Sequence, residues 1–435
     1  MAILIQTNLP VTPPNFQHVP KPAARSRNIR HKLPAVLMRA GTSKGLFIQR
    51  KHLPPLEEDW EAPLLAAMGS SLADSRQIDG VGGATSTTSK VAVVGPSQIP
   101  GVDVDYTFVQ VAVGKNSIDL SGSCGNMASG VGPFALQEGL MDVRIFNTNT
   151  SRLMVETLQL TDDGEFQENG DYVIAGAKGS GSEVKMGFID PAGSMTSRLF
   201  PTTHTTDRLS VERPDRLGSY FSVIATLIDV ANPFVLVDEA SLPPEVKQLD
   251  SSSDIFGAYA EAIRCAGSVK MGLAESIESA STVRGTPKLA MVLDPVVGNN
   301  EPADVKVQAF SMGKPHPTLQ ITGAVCIASA VCLPETVPSL INSRRASLGM
   351  GGLPTPMRDM SPELDVERVE ESSSKVARIV TVAHPSGTIN VEVITVQCEN
   401  GDMAVERCIV SRTARRIFEG KVMYYLPEQT NYHIV

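Results

Sequence analysis

At 435 residues the chain is long enough for two domains of roughly 150 to 200 residues and for a cleft between them. With 38 Lys and Arg against 47 Asp and Glu, a formal charge of -9 and a mean hydropathy of -0.01, it has no basic surplus to release phosphate counterions, which argues against nucleic acid or an anionic membrane as a partner. No apolar run approaches the ~20 residues a membrane span needs, and 42% hydrophobic with 20% charged residues describe an ordinary soluble globular chain.

The first 33 residues are rich in Pro, Lys and Arg and precede the first acidic residue, Glu57. They read as a flexible arm, a mitochondrial leader being the lesser reading because no amphipathic helix is evident. LPAVLMRAGTSKGLFI (33 to 48) places β-branched and apolar residues on both sides of a Gly-Thr-Ser turn, the pattern of a hairpin. LEEDWEAPLLAAMG (56 to 69) is an amphipathic helix closed by Gly69. A glycine-rich loop, DGVGGATSTTSKVAVVG (79 to 95), then runs into a strand that starts near Lys90, and VDVDYTFVQVAVG (102 to 114) alternates as a strand. SGSCGNMASG (121 to 130) follows, with a short helix expected to begin near Gly125 and run through GVGPFALQEGLM.

Strand signals dominate from 143 to 190, after which the pattern restarts. FSVIATLIDVANPFVLVDE (221 to 239) reads as a strand pair about an Asn-Pro turn, 252 to 280 as a helix, and 286 to 294 and 304 to 310 as strands. GKPHPTLQITGAVCIASAVCL (313 to 333) is a loop feeding an apolar helix, as in the first half. Strands, a small-residue turn and an apolar helix thus occur twice, which suggests two similar lobes facing a cleft. The polar, Gly/Pro/Ser-rich stretch 343 to 374 reads as a surface loop or lid, and the chain closes with further strands ending in a basic, alternating segment.

The six cysteines are scattered with no CxxC pair, as expected in a reducing compartment such as the cytoplasm. Cys326 and Cys332 lie in an apolar run and read as buried filler. The seven histidines are dispersed without HExxH, so no metal site is expected. Neither GxGxxG nor the P-loop pattern is present, and no cofactor is expected.

Cys124 stands out because a helix beginning at Gly125 would put its thiol against unpaired backbone N-H groups, which favour negative charge and would equally hold a carboxylate. A small buried Cys in a turn is the competing reading. Lys90, after TSTTS, suits proton transfer in a cleft, or is a strand-edge lysine reaching water. Arg39, Gly41, Thr42 and Ser43 form a polar turn with a guanidinium suited to a carboxylate, or a plain surface hairpin. His316 and Ser386 sit in the loops KPHP and HPSG, either facing a ligand or simply solvated. Together these hydroxyl-, glycine- and cation-bearing turns fit a cofactor-independent enzyme acting on a small polycarboxylate.

RAGTSKG (39 to 45), IDGVGGATSTTSKVAVV (78 to 94), DLSGSCGNMASGVGPFA (119 to 135), ANPFV (231 to 235), PKLAMV (287 to 292), HPTLQITGAVC (316 to 326) and HPSG (384 to 387), in this order, resemble the PrpF-like isomerase family. That family includes 2-methylaconitate cis-trans isomerases, methylitaconate delta-isomerases, 4-oxalomesaconate tautomerases and fungal aconitate delta-isomerases. The N-terminal arm and the long 343 to 374 stretch lean toward a fungal member. The resemblance implies an α+β fold like that of diaminopimelate epimerase. Two similar lobes, 34 to 205 and 206 to 435, would each wrap a curved, mainly antiparallel sheet round a central helix, with the last strand free to return to the first lobe.

Epimerase relatives offer a cysteine from each lobe. Here the second-lobe turn reads ITGA, with Thr322 in place of the thiol, which disfavours a two-thiol racemase. The resemblance implies Lys90 and Cys124 as the acid/base pair. It implies Arg39, Gly41, Thr42, Ser43, Ser89, Gly125, Asn126, Lys288, His316, Thr322 and Ser386 as candidate substrate ligands. The expected reaction is a double-bond shift in an unsaturated di- or tricarboxylate, cis-aconitate to trans-aconitate first, with methylaconitate, methylitaconate or a bulkier alkyl-substituted aconitate or maleate as alternatives. A non-catalytic accessory protein of an aconitase-like dehydratase is the alternative of another class, and a homodimer is an open option.

Overall fold

The computed structural model describes residues 29–139, 144–295, 303–347, 375–399 and 401–426. Most of the expected arm and all but the first residues of the expected lid (343 to 374) fall outside them. The architecture is α+β and dominated by one continuous 18-stranded sheet, two of whose strands (Ile118–Asp119 and Lys314–Pro315) are only two residues long.

The longer strands fall into two runs. The first contains β1 (Arg30–Ala40), β2 (Ser43–Gln49), β3 (Lys90–Pro96), β4 (Val104–Val111), β5 (Arg144–Asn147), β6 (Arg152–Thr157) and β7 (Val184–Ile189). The second contains β8 (Asp207–Glu212), β9 (Tyr220–Val230), β10 (Asn232–Asp238), β11 (Lys288–Leu293), β12 (Val305–Ser311), β13 (Lys375–His384), β14 (Gly387–Gln397) and β15 (Met403–Arg412). The last strand, β16 (Ala414–Tyr425), returns to pair with β1. In spatial order the first run is then β16-β1-β2-β3-β4-β5-β6-β7, with parallel pairings only at β2–β3 and β4–β5. The second run, β8 to β15, repeats this, with parallel pairings only at β10–β11 and β12–β13. An antiparallel β7–β15 pairing joins the runs.

Period-2 alternation sorts each strand's side chains onto two faces. Ala92 and Val94 of β3, and Ala290 and Val292 of β11, enter the largest core, which surrounds the short helices α2 (Gly125–Ala128) and α3 (Val131–Gln137) together with α7 (Ile321–Cys332). The alternate residues Val91 and Val93 face the core packed by α1 (Glu61–Met68). Leu289 and Met291 face that of α5 (Asp254–Lys270). Lys90 and Lys288 therefore occupy the same place in the two runs: each is the first residue of its strand and keeps the inward register of the alanine two residues on.

Four local expectations need correction. β1 begins at Arg30, inside the stretch read as an arm. The β9–β10 turn is at Ala231, with φ 58°, and Asn232-Pro233 already belongs to β10. The helix from Gly125 breaks at Ser129-Gly130 into α2 and α3, so a single helical turn follows Cys124. The stretch 252 to 280 holds α5 and, after Gly272 at φ 74°, only the start of α6 (Ile277–Thr282). The helices α4 (Pro244–Lys247) and α8 (Val337–Ser347) complete the set, and among the described residues no single helix is long and apolar enough to cross a membrane.

Candidate active site

A cleft spanning about 730 Å³, part of it open solvent, lies where β3 and β11 begin and where α2 and α7 start. Lys90 reaches it from β3. Its Nζ donates to Gln110 Oε1 at 2.8 Å and stands 4.9 Å from the Phe108 ring centroid. Gln110 is the cross-strand neighbour of Lys90 on β4. Its Nε2 donates to Ser89 O at 3.0 Å and Val111 O at 3.2 Å, which turns the amide oxygen to the ammonium.

Lys288 reaches the cleft from β11 and donates from Nζ to Ser123 O at 3.1 Å. Burial, with a smaller contribution from the charge of Lys90, pulls its ammonium down to about 8, against the opposing pull of Cys124 and Asp119. Neither lysine has a carboxylate within ion-pairing distance among the described residues.

Cys124 caps α2 and is 7% exposed. Its neighbourhood is held rigidly: Ser123 N donates to Asn232 Oδ1 at 3.2 Å and Asn232 Nδ2 returns to Ser123 O at 2.9 Å. Asn147 Nδ2 donates to Ser123 Oγ at 2.5 Å, and Tyr106 OH donates to Cys124 O at 3.2 Å. A side chain on Gly125 would put its Cβ 2.7 Å from Ile321 Cβ, so glycine here is what lets the starts of α2 and α7 meet. A four-residue helix leaves its first-turn amides unpaired within the helix but contributes little macrodipole. Neither Cys332 nor Cys408 lines the cleft, and burial pushes half-buried Cys332 up to about 11 and buried Cys408 up to about 12.

His316 is buried on the cleft wall and held at about 4, chiefly by burial. Its Nδ1 accepts from Thr318 N at 3.2 Å, so the neutral ring offers an Nε2-H donor rather than a cation. Ser43 and Asn126 also line the cleft, the latter with Oδ1 taken by Thr42 N at 3.2 Å.

The remaining residues singled out in the sequence are not among those lining the cleft. Arg39 donates from Nη1 to Gly41 O at 3.1 Å and to Thr413 O and Oγ1 at 2.9 Å, tying the β1–β2 turn to the start of β16. Gly41, at φ 53°, makes that turn. Thr42 meets Thr318 at 3.1 Å, oxygen to oxygen, and Ser89 donates to Gln77 Oε1 at 2.6 Å. Thr322 Oγ1 accepts from Asn232 Nδ2 at 3.3 Å, and exposed Ser386 donates to Pro317 O at 2.5 Å. Gly125 packs against Ile321.

The cleft also holds residues that were not singled out: Gln110, Asp119, Ser123, Glu261, Arg264, Arg284 and Gln320. Asp119 and Ser123 lie within the same glycine-rich string as Cys124, the one local signal available. Asp119 accepts from Ser121 N at 2.8 Å and Gly285 N at 2.9 Å, so its carboxylate is engaged. Among the described residues no group of three or more His, Cys, Asp or Glu could hold a metal ion.

Against known families, residues 30–351 and 365–425 match the PrpF protein family. The chain is 34% identical to the 2-methyl-aconitate isomerase of Shewanella oneidensis, over 90% of this chain and 96% of that protein. It is 33% identical to the 3-methylitaconate isomerase of Eubacterium barkeri, over 90% and 97%. The 4-oxalomesaconate tautomerase of Pseudomonas putida is 33% identical over 90% and 96%. The crystal structure of a methylitaconate-delta-isomerase superposes with a TM-score of 0.62 at 32% identity, covering 91% of this chain and 96% of that one. The chain belongs to the PrpF family and is an isomerase.

Proposed function

We propose that the protein shifts a double bond by allylic proton transfer in an unsaturated di- or tricarboxylate, without a cofactor, and that its reaction is cis-aconitate to trans-aconitate. The observation that carries this reading is the convergence on one cleft of a single thiol, Cys124, and two lysines, Lys90 and Lys288, neither paired with a carboxylate among the described residues. The repeated strand order supports taking the two runs as diaminopimelate-epimerase-like lobes, each around its own helix, with the cleft between them. We read Thr322, in the first turn of α7, as the second-lobe counterpart of Cys124, and among the described residues Cys124 is the one cysteine lining the cleft. Relatives that act on methylaconitate, methylitaconate and oxalomesaconate support the substrate class.

One member of the Lys90/Cys124 pair removes a proton from the methylene carbon between a carboxylate and the alkene. The charge spreads over a dienolate, which Lys288, the amides at the start of α2 and the neutral His316 donor are placed to stabilise. A proton returns at the far end of the allylic system. One C-H bond breaks and one forms, the double bond moves by one carbon, and no electron is gained or lost. In aconitate the geometry of the new double bond follows the conformer in which the methylene is held, so one transfer interconverts cis and trans.

Incubation with cis-aconitate in deuterium oxide, followed by proton NMR, tests this. Solvent deuterium in the new methylene together with a trans vinyl signal is expected; no turnover of any aconitate or itaconate analogue overturns it. The same panel, with 2-methylaconitate and methylitaconate, ranks the substrates.

A further inference from the structure

Two guanidinium groups reach the part of the cleft built by α5 and the residues after α6, and their surroundings differ. Arg264 is fully engaged. Its Nε and Nη2 donate to the two Glu261 oxygens at 3.0 and 2.8 Å, Nη1 donates to Val283 O at 3.1 Å and Thr286 O at 3.2 Å, and Nη2 also donates to Ala280 O at 2.6 Å.

Arg284 is not engaged in this way. Among the described residues its one ion pair is Nε to Glu261 Oε1 at 3.5 Å, an oxygen that already accepts from Arg264. Its side chain is 25% exposed and borders the same cleft as Lys90, Cys124 and Lys288. The space it occupies is kept for it: a Cβ on Gly313 would lie 2.1 Å from Arg284 Nη2, and Gly313 has φ 76°. A side chain at 313 would therefore strain the backbone and displace the guanidinium together.

The chemistry already assigned leaves this group without a task. Lys90 is taken by proton transfer and Lys288 by the dienolate, and the cleft's own acids, Asp119 and Glu261, are held by backbone amides and by Arg264. A planar fork of N-H donors left over in such a site matches one more carboxylate. We propose that Arg284 binds the substrate carboxylate borne by the central carbon, which neither loses nor gains the proton, and so makes the cleft select tricarboxylates over dicarboxylates. This rests on the proposed function and adds to it the residue that sets substrate class.

The test uses two inert saturated ligands that differ by one carboxylate, propane-1,2,3-tricarboxylate and pentanedioate, titrated calorimetrically into the wild type and into Arg284→Gln and Arg284→Lys. The wild type should bind the tricarboxylate about 10- to 100-fold more tightly. Arg284→Gln should abolish that preference while leaving pentanedioate affinity unchanged, and Arg284→Lys should keep part of it. With cis-aconitate, Arg284→Gln should raise KM by a similar factor at little cost in kcat. Absence of a preference in the wild type, its survival in Arg284→Gln, or an equal loss of both ligands each overturns the assignment. If the wild type discriminates the two ligands through Arg284 yet turns over no aconitate, the assignment stands and the proposed reaction falls.

Discussion

Cys124 differs from its fellow cysteines through what surrounds it rather than through its own chemistry. Cys326 and Cys408 are sealed in the central core, where burial raises them and no substrate reaches, whereas Cys124 opens onto a cleft that Lys90 and Lys288 also line. If Cys124 and Lys90 are the acid/base pair, Cys124→Ser and Lys90→Ala should each lower kcat by at least ~100-fold, measured on cis-aconitate; full activity in both would show that other groups move the proton. Lys288 makes a separate prediction. With its ammonium at about 8, it is charged below that pH and neutral above it, so its attraction for an anionic substrate weakens as pH rises. The ratio kcat/KM should fall on the alkaline side of about pH 8 in the wild type, and Lys288→Met should start from a lower value without that limb.

At the scale of elements, the support beneath α2 and α3 stores a pH dependence. Glu156 on β6 is 2% exposed and accepts from Gly132 N, within α3, at 2.9 Å. Burial raises its carboxyl from 4.5 to about 8, against the pull of that N-H group. The folded protein thus keeps a proton that the unfolded chain releases between these two values, and its stability falls as pH rises through that window. The full swing is on the order of 5 kcal/mol. Glu156→Gln should flatten the dependence and leave the variant more stable than the wild type above about pH 8, as read from urea midpoints; identical pH dependences would show that the carboxyl is not held neutral. The same elements show what local sequence could and could not settle. Gly69, at φ 77°, ends α1 as its position predicted, while the break between α2 and α3 follows packing: at Gly130 an added Cβ would meet the Phe47 ring at 2.6 Å.

At the scale of the whole molecule, the two runs are one structure. β7 pairs with β15, the last strand β16 completes the first run at β1, and the largest core draws residues from both. The single tryptophan, Trp60, lies fully buried in the first run's outer core and reports on that side alone, whereas far-UV circular dichroism reports on all strands. The two signals should follow one coincident urea transition, and removal of residues after Thr413 should destabilise the first run although the cut is at the far end of the chain. Separate transitions would show that the runs unfold independently. Much of this molecule was readable from sequence because it is local: strand signals put Lys90 at the start of a strand, turn chemistry put Cys124 just before a helix, and the repeated order of elements pointed to two related halves. Which polar turns reach the cleft was not local. Arg39, Ser89 and Ser386 look much like Ser43 in sequence, yet their donors end on Thr413, Gln77 and Pro317, because strand pairing and loop packing carry them elsewhere. Lys288 and Ser123 lie 165 residues apart, and Asp119 and Gly285 are 166 apart. Only the meeting of the two runs brings such partners together, since the chain's local preferences choose faces and turns while the closure of the sheet chooses neighbours.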